Sequence, residues 1–302
     1  MGQSSSSFRG EVKHTLSKHK DSVHSVTYSP DGKTIVTGAA DHCISLWEAK
    51  TGKSTRTLRA HKGAVTAVDY SSNGDQLLSA SADGAVFVWD VKIQKPTLSL
   101  TGHSEGVTDA CFSSDGKLVA SSSTDKTARL WDLRKNGKSQ TLSGHKDAVT
   151  SVSFSPDGVL LATASKDGTV QLWNRNSAKL THKLKDPFGG IRFCQFSPDS
   201  SKLATSSDTK LRIWNVMVGE VGNTLEGAHE EPIDCCAFYK DGTAIATGSA
   251  DKNVVLWDPR VIGGKAGIVL KGHKGAVQGC KFSPSGNHLA SASADNTAIV
   301  WR

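Results

Sequence analysis

Residues 102–132 have the sequence GHSEGVTDACFSSDGKLVASSSTDKTARLWD, and they contain every kind of segment that the rest of the chain repeats. The stretch opens with Gly-His and continues with two segments of alternating apolar residues, which Ser-Asp-Gly separates. A Ser/Thr-rich segment closed by an Asp follows, and the stretch ends at Trp-Asp. Because alternating apolar residues place one face of a strand in a core, the stretch predicts short β-strands joined by tight turns.

Three residue types recur along the chain with one period. Successive Trp residues are 41 to 44 positions apart, an Asp stands six positions before each Trp, and a loop His precedes six of the seven units. The Trp residues are Trp47, Trp89, Trp131, Trp173, Trp214, Trp257 and Trp301; the Asp residues are Asp41, Asp83, Asp125, Asp167, Asp208, Asp251 and Asp295. We therefore predict seven repeats, each supplying four strands.

A period of about 42 residues marked by Gly-His and Trp-Asp resembles the WD-repeat family. The resemblance covers residues 11–302 and implies an all-β fold, a single seven-bladed β-propeller with four antiparallel strands per blade. Residues 12–17, VKHTLS, resemble an outer strand, and only Arg302 follows Trp301. We expect this N-terminal strand to complete the last blade and close the ring. Residues 1–10 are expected to form a flexible Ser-rich segment.

Composition favours a folded intracellular protein. Of the 302 residues, 37% are hydrophobic and 22% are charged, with 29 Gly against 8 Pro. Lys and Arg exceed Asp and Glu by 36 − 29 = 7, but no run of five like charges occurs, which disfavours nucleic acid as a partner. The six Cys show no CxxC spacing, so we predict buried reduced thiols and neither a metal site nor a cofactor site. The expected compartment is the cytoplasm, with the nucleus, cytoskeleton and cilium open.

In the WD-repeat family a loop His, a strand Ser or Thr, the turn Asp and the Trp form a hydrogen-bonded quartet inside each blade. The matching residues are His103, Ser121, Asp125 and Trp131 in the third blade and His145, Thr163, Asp167 and Trp173 in the fourth. The others are His19, Thr37, Asp41, Trp47; His61, Ser79, Asp83, Trp89; His229, Thr247, Asp251, Trp257; and His273, Ser291, Asp295, Trp301. Ser, His and Asp together also suggest a hydrolase. Six near-copies favour a structural role instead, so no catalytic residue is predicted.

The fifth unit departs from the pattern. Pro187 stands where the His is expected, and the unit is one residue shorter before Asp208, so only Thr205, Asp208 and Trp214 can be assigned to its quartet. Two hypotheses remain open: relaxed constraint in this blade, or a binding surface around Phe188 on a flexible Gly-rich loop. The sixth unit begins with the acidic sequence AHEEPID.

The resemblance also implies partner-binding positions on the loop face beside the channel. Carried over by position, the first set is His24, Thr66, Thr108, Thr150, Arg192, Asp234 and Gln278, and the second is Ala40, Ala82, Thr124, Lys166, Ser207, Ala250 and Ala294. The predicted partner-binding residues are His24, Lys166, Phe188, Arg192, Asp234 and Gln278. An ordinary solvated loop face is the alternative.

The resemblance favours a non-catalytic scaffold or adaptor that binds protein partners on the loop face of the propeller, within a larger complex and without a small-molecule substrate. The alternative is a membrane-associated signalling scaffold. It rests on the Met-Gly-x-x-x-Ser pattern at the start of the sequence, in which Gly2 would be myristoylated. A membrane partner is expected only if Gly2 is acylated, because one acyl chain alone gives marginal attachment.

Overall fold

The computed structural model describes residues 8–264 and 266–302, and these residues form seven four-stranded antiparallel sheets. Within each sheet the strands are hydrogen-bonded in chain order, from an inner strand to an outer one, except in the last sheet. The inner strands of all seven sheets line one central cavity. The predicted all-β, seven-bladed propeller is confirmed.

The strands of blades one to four are, from the inner strand outward, β2 (Val23–Tyr28), β3 (Thr34–Ala39), β4 (Cys43–Glu48) and β5 (Ser54–Arg59); β6 (Val65–Tyr70), β7 (Gln76–Ser81), β8 (Ala85–Asp90) and β9 (Lys95–Thr101); β10 (Val107–Phe112), β11 (Leu118–Ser123), β12 (Ala128–Asp132) and β13 (Lys138–Leu142); and β14 (Val149–Phe154), β15 (Leu160–Ser165), β16 (Thr169–Asn174) and β17 (Leu180–Lys185). A 3₁₀ turn, Leu133–Lys135, precedes β13.

Blades five to seven contain β18 (Phe193–Phe196), β19 (Lys202–Ser207), β20 (Lys210–Asn215) and β21 (Glu220–Leu225); β22 (Ile233–Phe238), β23 (Ile245–Ser249), β24 (Asn253–Trp257) and β25 (Ala266–Lys271); and β26 (Val277–Phe282), β27 (Leu289–Ser293) and β28 (Thr297–Trp301), to which β1 (Val12–Ser17) is added.

The N-terminal strand closes the ring, as predicted. β1 pairs antiparallel with β28, from Val12 opposite Trp301 to Ser17 opposite Thr297. Pairing the two ends of the chain leaves no blade short of an outer strand. The Arg9 amide donates to the Arg302 carbonyl at 3.0 Å. The pairing between the two ends of the chain therefore includes a residue of the predicted N-terminal segment. The remainder of that segment, residues 1–7, lies outside the described residues.

The hydrophobic core lies between neighbouring blades. One of the seven apolar clusters, for example, joins Trp47 and Ile35 of the first blade to Ala290 and Val300 of the last. The middle strands are buried along most of their length, as in β11, where all six residues are buried. Blades therefore stabilise one another by burying apolar area at each contact.

Side chains fix the tight turns that set the length of each strand. In the first blade the Asp31 carboxylate accepts from the Ser29 hydroxyl at 2.6 Å and from the Lys33 amide at 3.0 Å, while the Thr34 amide donates to the Ser29 hydroxyl at 2.9 Å. Gly32 between them has φ +70°, a conformation that glycine adopts without strain. The Ser-Pro-Asp-Gly sequence thus specifies the turn at the end of the inner strand.

Candidate functional site

Six blades contain a complete chain of hydrogen bonds from Trp to Asp. In the fourth blade the Trp173 indole N–H donates to the Thr163 hydroxyl at 3.0 Å, which is 2.8 Å from His145 Nε2. His145 Nδ1 lies 3.1 Å from Asp167 Oδ2. The third blade repeats this with Trp131, Ser121, His103 and Asp125, and the first, second, sixth and seventh blades do so with the matching residues.

The protonation states of the His and Asp side chains fit a structural role for the quartet. Burial lowers the pKa of His145, against the opposing effect of Asp167, so the imidazole is neutral near pH 7. A neutral ring that donates from Nδ1 to the carboxylate accepts the hydroxyl proton at Nε2. Burial acts to raise the pKa of Asp167, but its hydrogen bonds to Thr169, Lys146 and the imidazole outweigh this and hold the pKa at about 2. The Thr163 hydroxyl belongs to a side chain with no exposure, so no substrate reaches it.

The fifth blade has the Trp–hydroxyl bond but replaces the rest of the chain. Trp214 donates to the Thr205 hydroxyl at 2.8 Å. In place of His and Asp, an ion pair joins Arg212 Nη1 to Asp186 Oδ2 at 2.7 Å, and the two side chains are 3% and 0% exposed. The Ser207 hydroxyl completes the cluster, 2.9 Å from Asp186 Oδ2 and 2.6 Å from Arg212 Nη1. A buried ion pair needs such extra hydrogen bonds because burial removes the hydration of both charges.

Asp186, rather than Asp208, supplies the carboxylate of this blade. Ser207 pairs with Lys210 across the β19–β20 turn, and Asp208 lies in that turn with φ +53°. The missing residue makes the turn too short to present Asp208 as the other blades present their turn Asp. The assignment of Asp208 to the fifth quartet, which rested on its distance in sequence from Trp214, was therefore wrong.

The same ion pair positions Phe188. The second carboxylate oxygen of Asp186, Oδ1, accepts a hydrogen bond from the Phe188 amide at 2.8 Å. Phe188 is 61% exposed, and the centroid of its ring lies 4.5 Å from the Arg212 guanidinium carbon and 4.7 Å from Lys210 Nζ. Cations stacked on an aromatic face attract it electrostatically. The loop thus holds an exposed aromatic ring in a defined place, although its Gly-rich sequence suggested flexibility.

Lys166, Arg192 and Asp234 lie on the same face as Phe188. Lys166 is exposed, and its backbone approaches Gly190 so closely that a Cβ there would lie 3.0 Å from the Lys166 carbonyl oxygen. Arg192 Nη1 is 2.7 Å from Asp234 Oδ1 and bridges the fifth and sixth blades. Burial raises the pKa of Asp234, an effect that Arg192 opposes. We call the surface formed by Lys166, Phe188, Arg192 and Asp234 the blade-five surface.

His24 and Gln278 lie apart from the blade-five surface. His24 Nδ1 is 2.7 Å from Gln278 Oε1, and the Ser22 hydroxyl donates to the same oxygen at 2.9 Å. This contact joins the first and last blades. With Arg192 and Asp234, the two residues line the central cavity, whose volume is about 360 Å³. The six predicted partner-binding residues therefore fall into two groups.

The three Thr residues of the first set of channel positions form contacts between blades. The hydroxyls of Thr66, Thr108 and Thr150 donate to the carbonyls of Val107, Val149 and Ile191, each on the next blade, at 2.6–2.9 Å. Their equivalence to Arg192 and Gln278 along the sequence reflects a shared role in joining inner strands.

Two carboxylates that line the channel were not predicted from the sequence. Asp69 accepts from the Phe112 amide at 3.0 Å and Asp109 from the Val152 amide at 3.1 Å, so both satisfy backbone donors of the next inner strand. Burial raises the pKa of both groups. At the Asp109 position the other six repeats carry uncharged residues, and at the Asp69 position the one other charged residue is Lys281. An acidic side chain at these inner-strand positions was therefore the available signal.

A sequence model of the family described as "WD domain, G-beta repeat" matches seven segments of the chain, residues 10–48, 52–90, 94–132, 137–174, 178–215, 219–258 and 264–302. The chain belongs to the WD-repeat family. Propellers of this family generally act as protein-interaction scaffolds. Among the described residues, none forms a helix with the length and apolar character needed to cross a membrane.

Curated relatives match short segments of the chain. Protein Mut11 of Chlamydomonas reinhardtii is 46% identical over 39 residues, which are 13% of this chain and 10% of the relative. The guanine nucleotide-binding protein subunit beta of Oryza sativa subsp. japonica is 41% identical over 49 residues, 15% of this chain and 13% of the relative. The human intraflagellar transport protein 122 homolog is 33% identical over 58 residues, 19% and 5% of the two chains. The chain therefore spans only a small part of the length of these relatives.

The free energy of unfolding should decrease as the pH falls below about 6.5. The six quartet His have folded-state pKa values below that of an unfolded His because burial disfavours their charged form. Above pH 6.5 both states are neutral; below it the unfolded chain binds more protons and gains stability, by at most about 1.4 kcal/mol per pH unit for each His. Thermal unfolding at pH 7.5, 6.5 and 5.5 measures this, and equal melting temperatures would contradict it.

The substitution Arg212→Met should destabilise the protein by about 3–5 kcal/mol, because it leaves the Asp186 carboxylate buried without a counter-charge. The double variant Asp186→Leu, Arg212→Met should recover part of the loss. Arg134→Met is a matched control, since it breaks a pair with Asp132 in which the Arg side chain is 60% exposed, and its melting temperature should not change. Equal stability of Arg212→Met and the control in urea denaturation would contradict the role of the pair.

Proposed function

We propose that this protein is a non-catalytic scaffold that binds one or more protein partners at the blade-five surface, within a larger assembly. The observation that carries the proposal is Phe188, which is 61% exposed on a loop held by a buried ion pair. An exposed aromatic side chain that is already ordered loses little conformational freedom on binding, and such residues are frequent anchors of interfaces.

The rest of the propeller supports a binding role rather than catalysis. The Ser or Thr of each quartet is buried and bonded to both Trp and His, as in the fourth blade. An activated nucleophile instead needs an exposed hydroxyl beside its base. Relatives of different kinds, among them a guanine nucleotide-binding protein subunit beta and an intraflagellar transport protein 122 homolog, match short segments of the chain. The cytoplasm is the compartment we propose, with the nucleus, cytoskeleton and cilium as alternatives.

Capture of partners from the native cell tests this function. The full chain should retain a defined set of proteins that the variant Phe188→Ala, Arg192→Glu retains at least about tenfold less, since it removes the anchor and reverses a charge. Lys62→Ala is the control, because Lys62 occupies the position of Phe188 in the second blade. Melting temperatures of all variants should confirm folding. The same set of captured proteins from both variants would overturn the proposed surface.

A membrane-associated scaffold is a second candidate. It rests on the Met-Gly-x-x-x-Ser pattern, and Gly2 lies outside the described residues. One feature of the fold favours it: Phe8, the first described residue, packs against the apolar cluster that contains Leu270, and Ile262 in the preceding loop is 90% exposed. An exposed aliphatic side chain can add to the weak attachment given by one acyl chain. Intact-mass measurement of the native protein tests this candidate function. A mass that corresponds to an unacylated N-terminus would contradict it.

A further inference from the structure

The face that carries the blade-five surface has opposite charges on the two sides of the Phe188 ring. On the side of the fourth blade, Lys166 and Lys185 are exposed. On the side of the sixth blade, Glu230 and Glu231 are exposed in the loop that begins at His229. The aromatic ring therefore lies between a basic and an acidic border.

The cations and carboxylates at the centre of this surface are already paired. Lys210 Nζ lies 2.7 Å from Glu226 Oε2, and Arg192 lies 2.7 Å from Asp234. Pairing leaves the centre close to neutral. The ion pairs among the described residues do not involve the Lys or Glu residues of the two borders, so a partner can pair with these four side chains.

This arrangement occurs at one place in the ring. The positions equivalent to Phe188 in the other blades hold Lys20, Lys62, Ser104, Lys146, Glu230 and Lys274. Only the fifth blade has an aromatic residue there, and only the sixth has two acidic residues in succession. Because the quartets require neither feature, the charge border is independent of the fold.

We propose that the blade-five surface binds an extended peptide segment of a protein partner whose side chains follow the order acidic, apolar, basic. The acidic side chain lies against Lys166 and Lys185, the apolar side chain against Phe188, and the basic side chain against Glu230 and Glu231. This deepens and rests on the scaffold function proposed above. Complementary charges at both ends set the register and exclude wrong partners, while the central anchor supplies affinity.

Charge complementarity decides between this segment and a polyanion. A nucleic acid strand carries a negative charge at every phosphate, so Glu230 and Glu231 would repel it where Lys166 and Lys185 attract it. A peptide carries both signs and satisfies both borders. Binding of a polyanion in preference to the peptide is therefore an outcome that contradicts the proposal.

Fluorescein-labelled peptides test the order of charges with the full chain. Each has two glutamates at one end, a central leucine and two arginines at the other, with one to four Gly or Ser residues in each spacer, since an extended residue spans about 3.3 Å. Composition-matched peptides with alternating Glu and Arg are the controls, and single-stranded DNA of equal length is the polyanion. Fluorescence anisotropy at 50 and 200 mM salt gives the affinities.

We expect one spacing to bind about tenfold or more tightly than its alternating control, and more tightly than the DNA. Phe188→Ala should weaken that binding about tenfold or more. The double variants Lys166→Glu, Lys185→Glu and Glu230→Lys, Glu231→Lys should each weaken it similarly, whereas Lys62→Glu should not. Higher salt should reduce the affinity.

Equal binding of segregated and alternating peptides, binding of none of them, or preference for the DNA would overturn the proposed partner chemistry. The capture experiment separates this from failure of the scaffold function. If the Phe188→Ala, Arg192→Glu variant loses its captured proteins while the peptides show no preference, the scaffold survives and the order of charges is wrong.

Discussion

The hydrogen-bond chain that runs from a buried Trp through a hydroxyl and a His to a turn Asp is the interaction on which each regular blade depends. It crosses the sheet from the third strand to the loop before the first, so it fixes both the strands and the loop. The side chains of its Trp, hydroxyl and His residues are buried, and each left unpaired would cost roughly 1–3 kcal/mol. Six copies make the ring a rigid support. The fifth blade must satisfy the same constraint without a His, and the pair between Arg212 and Asp186 does so.

That substitution connects the fold to the proposed function. In the regular blades the turn Asp accepts hydrogen bonds from the imidazole and from a backbone amide of the His loop, as Asp167 does from His145 and Lys146. In the fifth blade Asp186 forms an ion pair with Arg212 and accepts a hydrogen bond from the amide of Phe188. The guanidinium that balances the buried carboxylate also stacks on the Phe188 ring. One local change therefore both stabilises an irregular blade and presents an aromatic side chain to solvent.

The sequence predicted the fold well because a propeller repeats the same physical requirement seven times. Trp spacing, the His loops and residues 12–17 each pointed to the closed ring that the structure shows. Phe188 was identifiable because it replaces a polar residue on a loop. The buried pair was not, since charged pairs have no periodicity and Arg129, at the position equivalent to Arg212, has no comparable acidic partner. Nor could spacing show that His24 contacts Gln278, which lies 254 residues away.

Hydrogen exchange at the Phe188 amide tests most directly whether the buried pair holds this loop. The amide donates to Asp186 Oδ1 in the structure, so it should exchange slowly, with protection similar to that of the Lys146 amide in the regular fourth blade. In Arg212→Met the protection of Phe188 should fall while that of Lys146 persists. Rapid exchange at Phe188 in the unaltered protein, with Lys146 protected, would contradict the account.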